Sequence, residues 1–479
     1  MRHERSHTKI IATLGPASTD KEVLNKMFHE GIDVCRLNFS HGNHDVHLKS
    51  IRLIRELNEE LDARVAILAD LQGPKLRIGD VENNEVILED GREFSLVTEK
   101  CIGTSEKAYM SYEKLPADVK IGEIILIDDG KIKLEVIDTN RTNRVITKVI
   151  HGGPLSSRKG VNLPATNVSQ PSLTEKDIED ARFALNNEVD WIALSFVRTA
   201  KDIKVLRELM KTEKKYARIV AKIEKPEALK EINHIIEISD AVMVARGYLG
   251  VEVDFDRVPL IQKMIVQKCI EASTPVIIAT QMMESMMSNF RPTRAEATDV
   301  ANAVLDGADT LMLSGETSVG LYPDLVINSM QKIIDWTEEN GVKYFREHPP
   351  DKRNRTFFQD SICYNAVRLA EQSKARAIIT FTHSGYTAFK ISSYRPRADI
   401  FAFTTNKSLL PMLSLVWGVR AYYITSGKNI EEYIKESIDF LSKKNLIDTG
   451  DVIVHVGSIP IQKKGKTNML KLTHVEYGS

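Results

Sequence analysis

From Lys9 to Asp70 the chain reads KIIATLGPASTDKEVLNKMFHEGIDVCRLNFSHGNHDVHLKSIRLIRELNEELDARVAILAD. Short apolar runs at Lys9–Leu14, Val34–Asn38 and Val65–Asp70 have the length and composition of buried strands. Between them lie two amphipathic stretches: a helix that starts near Asp20 and stops at Gly31, and a second over about His44–Leu61. The alternation then breaks for about ninety residues. From Gly79 to Pro164, alternating Val, Ile and Leu are punctuated by Asp90-Gly91, Asp129-Gly130 and Gly152-Gly153, turn signals that join antiparallel strands. This segment reads as an inserted all-β domain.

The βα pattern resumes with Thr174 as an N-cap and Asp177 at the third helical position. Strands follow at Trp191–Ser195, Ile219–Lys222, Ala241–Ala245, Pro275–Thr280 and Thr310–Leu313. Three strands before the insert and five after it make eight, each followed by a helical stretch, the last near Pro323–Glu339. Eight βα units are the count that closes a barrel. An open doubly wound sheet is the structural alternative. After Asn340-Gly341 a polar linker, His348 to Arg355, precedes a second series with strands Ala377–Phe381, Ile400–Phe403, Val419–Tyr423, Asp451–Val456 and Met469–Thr473. The fold class is therefore α/β: a (β/α)8 TIM barrel over 1–72 and 172–340, a β-rich lid over 73–171, and a C-terminal open-sheet domain over 341–479.

Bulk properties agree with this division, because 479 residues exceed the roughly 250–300 that one core fills. A net charge of −1 provides no basic field for nucleic acid, so a phosphate ligand has to be held by local charges. Cys35, Cys101, Cys269 and Cys363 lack metal or C-x-x-C spacing, which favours reduced thiols and a cytoplasmic protein. The first residues contain no apolar signal core, and no apolar run is long enough to span a bilayer.

Catalytic groups of a parallel barrel sit at the C-terminal strand ends. Here those ends carry Arg36, Asn38, Ser40 and His41; Asp70; Ser195; Lys222 and Glu224; Arg246-Gly247; Thr280; and Ser314 and Glu316. Cations, carboxylates and hydroxyls on one rim suit phosphoryl transfer, in which charge on the phosphoryl oxygens is neutralised and little covalent chemistry is left to the protein. Plainer readings stand beside this one. Lys222 and Glu224 share a strand face and could be a solvated ion pair. The run N-F-S-H-G could be a turn, Gly247 and Gly250 could be loop glycines or an anion cradle, and Ser314 could cap a helix. No G-x-x-x-x-G-K-[ST] loop occurs, which argues against a P-loop site.

Several longer motifs add to this: I-A-T-L-G-P-A-S, C-R-L-N-F-S-H-G, K-G-V-N-L-P, A-K-I-E, M-V-A-R-G, A-T-Q-M-M-E-S-M, R-P-T-R-A-E-x-x-D-V-A-N-A-V and L-S-G-E-T stand in that order from Ile11 to Gly320. Together with T-H-S-G-Y-T-A and Y-R-P-R further on, they resemble the pyruvate kinase family. The resemblance implies a barrel, a small β-barrel lid after strand three and a third domain, assembled as a homotetramer that uses phosphoenolpyruvate and ADP. It implies that Lys222 contacts the phosphoryl group and the enolate, with Arg36 and Arg77 adding positive charge. Thr280 would lie beside the protonated carbon, and Ser314 and Glu316 would belong to the proton network. Asn38, His41, Arg77 and Lys159 would face the nucleotide, while Gly247 and position 248 would line the substrate site with Arg36, Lys222 and Thr280. Glu224 would ligate Mg2+ or Mn2+, with Asn38, Ser40 and Asp70 near the cations.

Two departures from the family pattern stand out. The family's R-G-D-L-G motif supplies a second metal carboxylate, whereas this chain has Tyr248, a poor ligand for a hard cation. Potassium-dependent members carry Thr, Lys, Glu and Thr where this chain has Leu71, Gln72, Lys75 and Ile78. The Lys75 ammonium could stand in for potassium, so no K+ requirement is expected. Tyr248 leaves an alternative, a metal-impaired or silent subunit that binds phosphate ligands, and a different barrel enzyme acting on the enolate fits less well. Thr382, Ser384, Gly385 and Thr387 lie between a strand and a helix, where they form either a cap or a phosphate cradle for an effector. Lys463, Lys464 and Lys466 would supply a second contact.

Overall fold

Short strands rich in Val, Ile and Ala, buried on both faces, are what a parallel barrel requires. In the computed structural model, which describes residues 6–166, 168–425, 429–459 and 467–476, eight of them close on themselves. They are β1 (Lys9–Thr13), β2 (Val34–Asn38), β3 (Ala66–Asp70), β4 (Trp191–Leu194), β5 (Arg218–Ile223), β6 (Ala241–Ala245), β7 (Val276–Ala279) and β8 (Thr310–Leu313). Strand β1 pairs in parallel with both β2 and β8, which excludes the open doubly wound sheet. Asp20 caps the first helix, accepting from the Glu22 and Val23 amides, and Gly31 ends it in the left-handed region at φ 107°. Thr174 and Asp177 form the expected reciprocal capping box.

Two-residue periodicity sorts the strand side chains. Ile11, Val34, Ala66, Leu68, Trp191, Ala193, Val220, Met243, Ile277 and Met312 fill the barrel interior, and the alternate residues pack under the helices. The same inward rows, extended toward the C-terminal ends, carry Arg36, Asp70, Ser195 and Lys222.

A repeated device ties down the opposite end. Asp33, Asp190, Asp240 and Asp309 each immediately precede an even-numbered strand. Their carboxylates accept the amides of Ile10 (3.0 Å), Ile67 (2.8 Å), Ile219 (2.8 Å) and Val276 (3.0 Å), while each Asp amide donates back to the same residue's carbonyl. Three are neutralised: Asp33 by Lys9 at 3.7 Å, Asp240 by Arg207 at 2.6 Å and Asp309 by Arg395 at 2.9 Å. Asp190 is buried, and among the described residues no cation lies within 4 Å of it; burial pushes its carboxyl up to about 7.

Between β3 and β4 the chain forms a six-stranded sheet and a two-stranded ribbon around a separate core that includes Phe94, Leu96, Ile125 and Leu134. Residues 76–79 bridge the two edges of that sheet. On one side the Val161 and Ile78 amides pair with the Leu76 and Lys159 carbonyls, and on the other the Gly79 and Ser111 amides pair with the Tyr109 and Arg77 carbonyls. The sheet thereby curls into a small barrel, with Arg77 in its closing seam.

The C-terminal region is an open sheet of β9 (Ala377–Phe381), β10 (Asp399–Thr404), β11 (Val419–Tyr423), β12 (Val452–Gly457) and β13 (Met469–His474), ordered 11-10-9-12-13 with only β13 antiparallel. Its Leu415 joins the interior cluster of the first barrel, and Phe389 packs against that cluster. Leu415 also accepts a hydrogen bond from the Thr310 hydroxyl at 2.8 Å. The domain thus plugs the N-terminal mouth of the barrel. Among the described residues no helix is long and apolar enough to cross a membrane.

Candidate active site

The inward row of β5 runs Arg218, Val220, Lys222, and Glu224 follows just beyond the strand. Lys222 is buried, and its Nζ donates to Ser195 Oγ at 2.7 Å. The same Nζ lies 3.0 Å from Asp70 Oδ1 and 3.1 Å from Glu224 Oε1, at angles short of a hydrogen bond. Arg36 closes the group, with Nε donating to Asp70 Oδ2 at 2.7 Å and Nη1 to Thr13 Oγ1 at 2.9 Å. Burial works against the Lys222 charge, but Asp70 and Glu224 outweigh it and hold the ammonium above its usual range. Burial likewise works against an ionised Asp70, and Lys222 and Arg36 outweigh it, holding that carboxyl below its usual range. The solvated ion pair weighed for Lys222 and Glu224 is ruled out by their burial.

Asp70 Oδ1 and Glu224 Oε1 are buried oxygens that face the Lys222 ammonium and, among the described residues, make no other polar contact. Hard oxygens of this kind fit Mg2+, which takes one or two protein carboxylates and completes its shell from phosphate and water. Among the described residues no group of three or more His, Cys, Asp or Glu side chains is placed to hold a metal. The Tyr248 ring meets Phe196 edge-on, with centroids 5.5 Å apart, and the Phe196 amide donates to Glu224 Oε2 at 2.8 Å. Lys75 Nζ lies 5.6 Å from the Tyr248 ring centroid. The two departures noted in the sequence are therefore neighbours.

The strand expected to run through Thr280 ends one residue earlier, at Ala279, because the Thr280 backbone turns to φ 71°. A β-branched residue is rarely found there, and such strain collects at functional sites. The Thr280 hydroxyl accepts the Gly247 amide at 2.8 Å and donates to the Ala279 carbonyl at 2.6 Å. Gly247 therefore has its amide engaged by protein, which removes one donor from the anion cradle considered for it. Arg246 bonds to the Thr280 carbonyl at 2.7 Å and pairs with Asp299 at 2.7 Å, so it braces the rim. Glu316 is buried and accepts the Ser314 and Met283 amides at 2.6 and 3.2 Å. Ser314 makes no side-chain cap, so its helix-capping reading is not realised.

Asn38 Oδ1 accepts the Ser40 amide at 3.1 Å, as the turn reading requires, and the loop leads to the exposed His41. Burial, then Lys75, Arg77 and Arg36, hold the His41 imidazole below its usual pKa, so cations from barrel and seam converge there. Lys159 pairs with Asp128 at 2.9 Å, and Arg77 donates to the Arg158 carbonyl at 2.9 Å. Lys75, Arg77, Arg158, Lys159, Arg198, Lys225 and Tyr248 border a cavity of about 250 Å3 between barrel and insert. Sequence reasoning overlooked Lys225, Asn162 and Glu252, which join across this cavity. Lys225 adjoins a quoted motif and Asn162 lies within one, whereas Glu252 ends a short helix, Arg246–Glu252, two residues beyond the last motif position.

In the C-terminal loop the Thr382 hydroxyl accepts the Gly385 amide at 3.0 Å, and Thr387 meets Thr467 at 3.0 Å. Gly385 occupies the helix N-cap at φ 89° without a side-chain cap. Lys463, Lys464 and Lys466 lie outside the described residues.

Fold and site together define a barrel enzyme of phosphoryl chemistry, with a buried lysine–carboxylate cluster facing a cationic cleft. Residues 5–327 match the family described as "Pyruvate kinase, barrel domain" and residues 360–473 "Pyruvate kinase, alpha/beta domain". A pyruvate kinase of Corynebacterium glutamicum is 42% identical over 463 residues, 97% of this chain and 96% of that one. One of Staphylococcus aureus is 39% identical over 468 residues, 97% of this chain and 80% of that one. A crystal structure of a pyruvate kinase from Cryptosporidium parvum superposes with a TM-score of 0.90 at 34% identity, over 98% of this chain and 96% of the other. The chain belongs to the pyruvate kinase family.

Proposed function

We propose that the chain transfers the phosphoryl group of phosphoenolpyruvate to ADP, giving pyruvate and ATP. The observation that carries this reading is the buried Lys222 ammonium held among Ser195, Asp70 and Glu224 beside Arg36. A fixed ammonium and guanidinium stabilise charge on the moving phosphoryl group and on the enolate it leaves behind. Thr280 and Glu316 sit at the adjoining strand ends, where the enolate carbon takes up its proton with Ser314 in the relay. Asn38, His41, Arg77 and Lys159 hold the nucleotide from both walls of the cleft. Glu224 and Asp70 would hold Mg2+ or Mn2+, which supplies Lewis-acid neutralisation of phosphoryl oxygens. Replacing Lys222→Met should lower turnover by at least about 10²-fold, followed by the 31P resonances of phosphoenolpyruvate and ATP. Turnover within a few-fold of the parent would remove Lys222 from the reaction.

The Lys75 ammonium takes the place of a monovalent cation, so activity should not depend on potassium, and Lys75→Glu should create a requirement. Strong stimulation of the parent by K+ at constant ionic strength would contradict this. The division into barrel (1–72, 172–340), lid (73–171) and effector-binding domain (341–479) rests on the separate cores. Exposed Phe255, Leu260, Phe290 and Leu321 on the barrel support self-association to a homotetramer. Light scattering should then give four times the 54.0 kDa chain mass. Four unbonded cysteines fit a reducing cytoplasm. The reading as a silent phosphate-binding subunit has no support beyond Tyr248.

A further inference from the structure

Two backbone connections join the insert to the barrel, and polar contacts hold both. Near the first, the Gly73 amide donates to Asp177 at 2.9 Å. Near the second, Arg198 bonds to the Gln170 carbonyl at 2.7 Å and Ser172 to Asp202 at 2.9 Å. Away from these connectors, among the described residues, one side-chain hydrogen bond links residues 74–166 to the barrel. Asn162 Nδ2 donates to Glu252 Oε1 at 2.9 Å. The same oxygen accepts from Lys225 Nζ at 2.7 Å, and Glu252 Oε2 has no partner. All three residues are buried and border the cavity between barrel and insert.

We propose that Lys225, Glu252 and Asn162 form a latch that sets the position of the lid, with Glu252 and Asn162 as positioning residues for the phosphoryl acceptor. Lys225 follows Glu224 directly, and Glu252 ends the helix that carries Tyr248, so the barrel half of the latch is built on the elements that carry the reaction. The lid half is the pair Val161–Asn162, locked antiparallel to Leu126–Ile127 and three residues from Lys159. Closing the latch therefore fixes Lys159 over the cleft. Opening it costs one charge-assisted hydrogen bond and lets water reach a carboxylate that otherwise has one unpartnered oxygen. An amide that must meet an ionised carboxylate makes closure specific, since neither an apolar nor an acidic residue at position 162 reproduces the contact.

This inference deepens the phosphoryl-transfer reading in its kinetic consequence and is independent of it in its structural one. The test compares the full chain with Asn162→Asp and Asn162→Ala by small-angle scattering and by half-saturation with ADP and with phosphoenolpyruvate. Asn162→Asp sets a carboxylate against Glu252, so the radius of gyration should rise and half-saturation by ADP should rise about tenfold. Phosphoenolpyruvate, held by the barrel, should be affected much less, and Asn162→Ala should act in the same direction with smaller amplitude. Unchanged scattering in Asn162→Asp overturns the latch, even if ADP affinity falls. A scattering change in a series in which the parent itself transfers no phosphate supports the latch and overturns the assigned reaction instead.

Discussion

Tyr248 stands where the family resemblance places a carboxylate that would share the proposed metal with Glu224, and its ring lies near both Phe196 and the Lys75 ammonium. A carboxylate restored there would be held ionised by Lys75, so Tyr248→Asp should bind Mg2+ more tightly and turn over faster. Groups that stabilise a transition-state charge commonly change rates by about 10²–10³. Equal rates and equal metal affinity in the two proteins would show that position 248 takes no part in cation binding. Asp190 makes a separate prediction about stability. Its folded-state pKa lies above the unfolded value, because burial favours the protonated form, so its contribution is most favourable at low pH and is lost as pH rises from about 4 to about 7. The cost of ionising it is of order 1.4 kcal/mol for each pH unit between the two values. Asp190→Asn, still able to accept the Ile67 amide, should raise the melting temperature at pH 8 and have little effect near pH 4. A variant destabilised equally at both pH values would show that this carboxylate is charged in the fold.

At the scale of elements, strands were legible from apolar periodicity, and two helix starts were written a second time in their caps, Asp20 and the Thr174–Asp177 box. The site row was legible for the same reason: period two that buries Val220 also turns Lys222 inward. What stayed hidden depends on contacts distant in sequence. The bracket of four aspartates before β2, β4, β6 and β8 needs the barrel closed before its regularity can be seen. The curl of the insert is made by residues 76–79, which have no strand pattern of their own. Glu252 gives no local signal because its partners come from another strand end and from the lid. One such contact bears on regulation: Arg218 Nη2 donates to the Ser384 carbonyl at 2.9 Å, and its guanidinium stacks 4.6 Å from the Phe389 ring. The loop Thr382–Thr387 thereby touches the first residue of the strand that carries Lys222. A phosphorylated sugar or nucleotide monophosphate bound there should shift half-saturation by phosphoenolpyruvate, and Ser384→Ala, which keeps the backbone contact, should weaken that shift. If no such compound acts, or the shift survives unchanged, the loop is a helix start only.

Across the whole molecule, the three cores do different work around one cleft. The C-terminal sheet seals the N-terminal mouth of the barrel through Leu415 and Phe389, which leaves the opposite rim as the reactive face. The insert faces that rim, and its Arg77 and Lys159 line a cavity together with Arg198, Lys225 and Tyr248 of the barrel. Removing water strengthens each charge contact that remains. The central claim is that this cluster moves phosphate from phosphoenolpyruvate to ADP, and the most direct test is pyruvate formation by the purified chain. The coupled assay is run without K+, with and without added Mn2+, at constant ionic strength. The account predicts pyruvate formation that needs both phosphoenolpyruvate and ADP and rises with Mn2+. No pyruvate above background at saturating Mn2+, from protein with an intact fold, would contradict it.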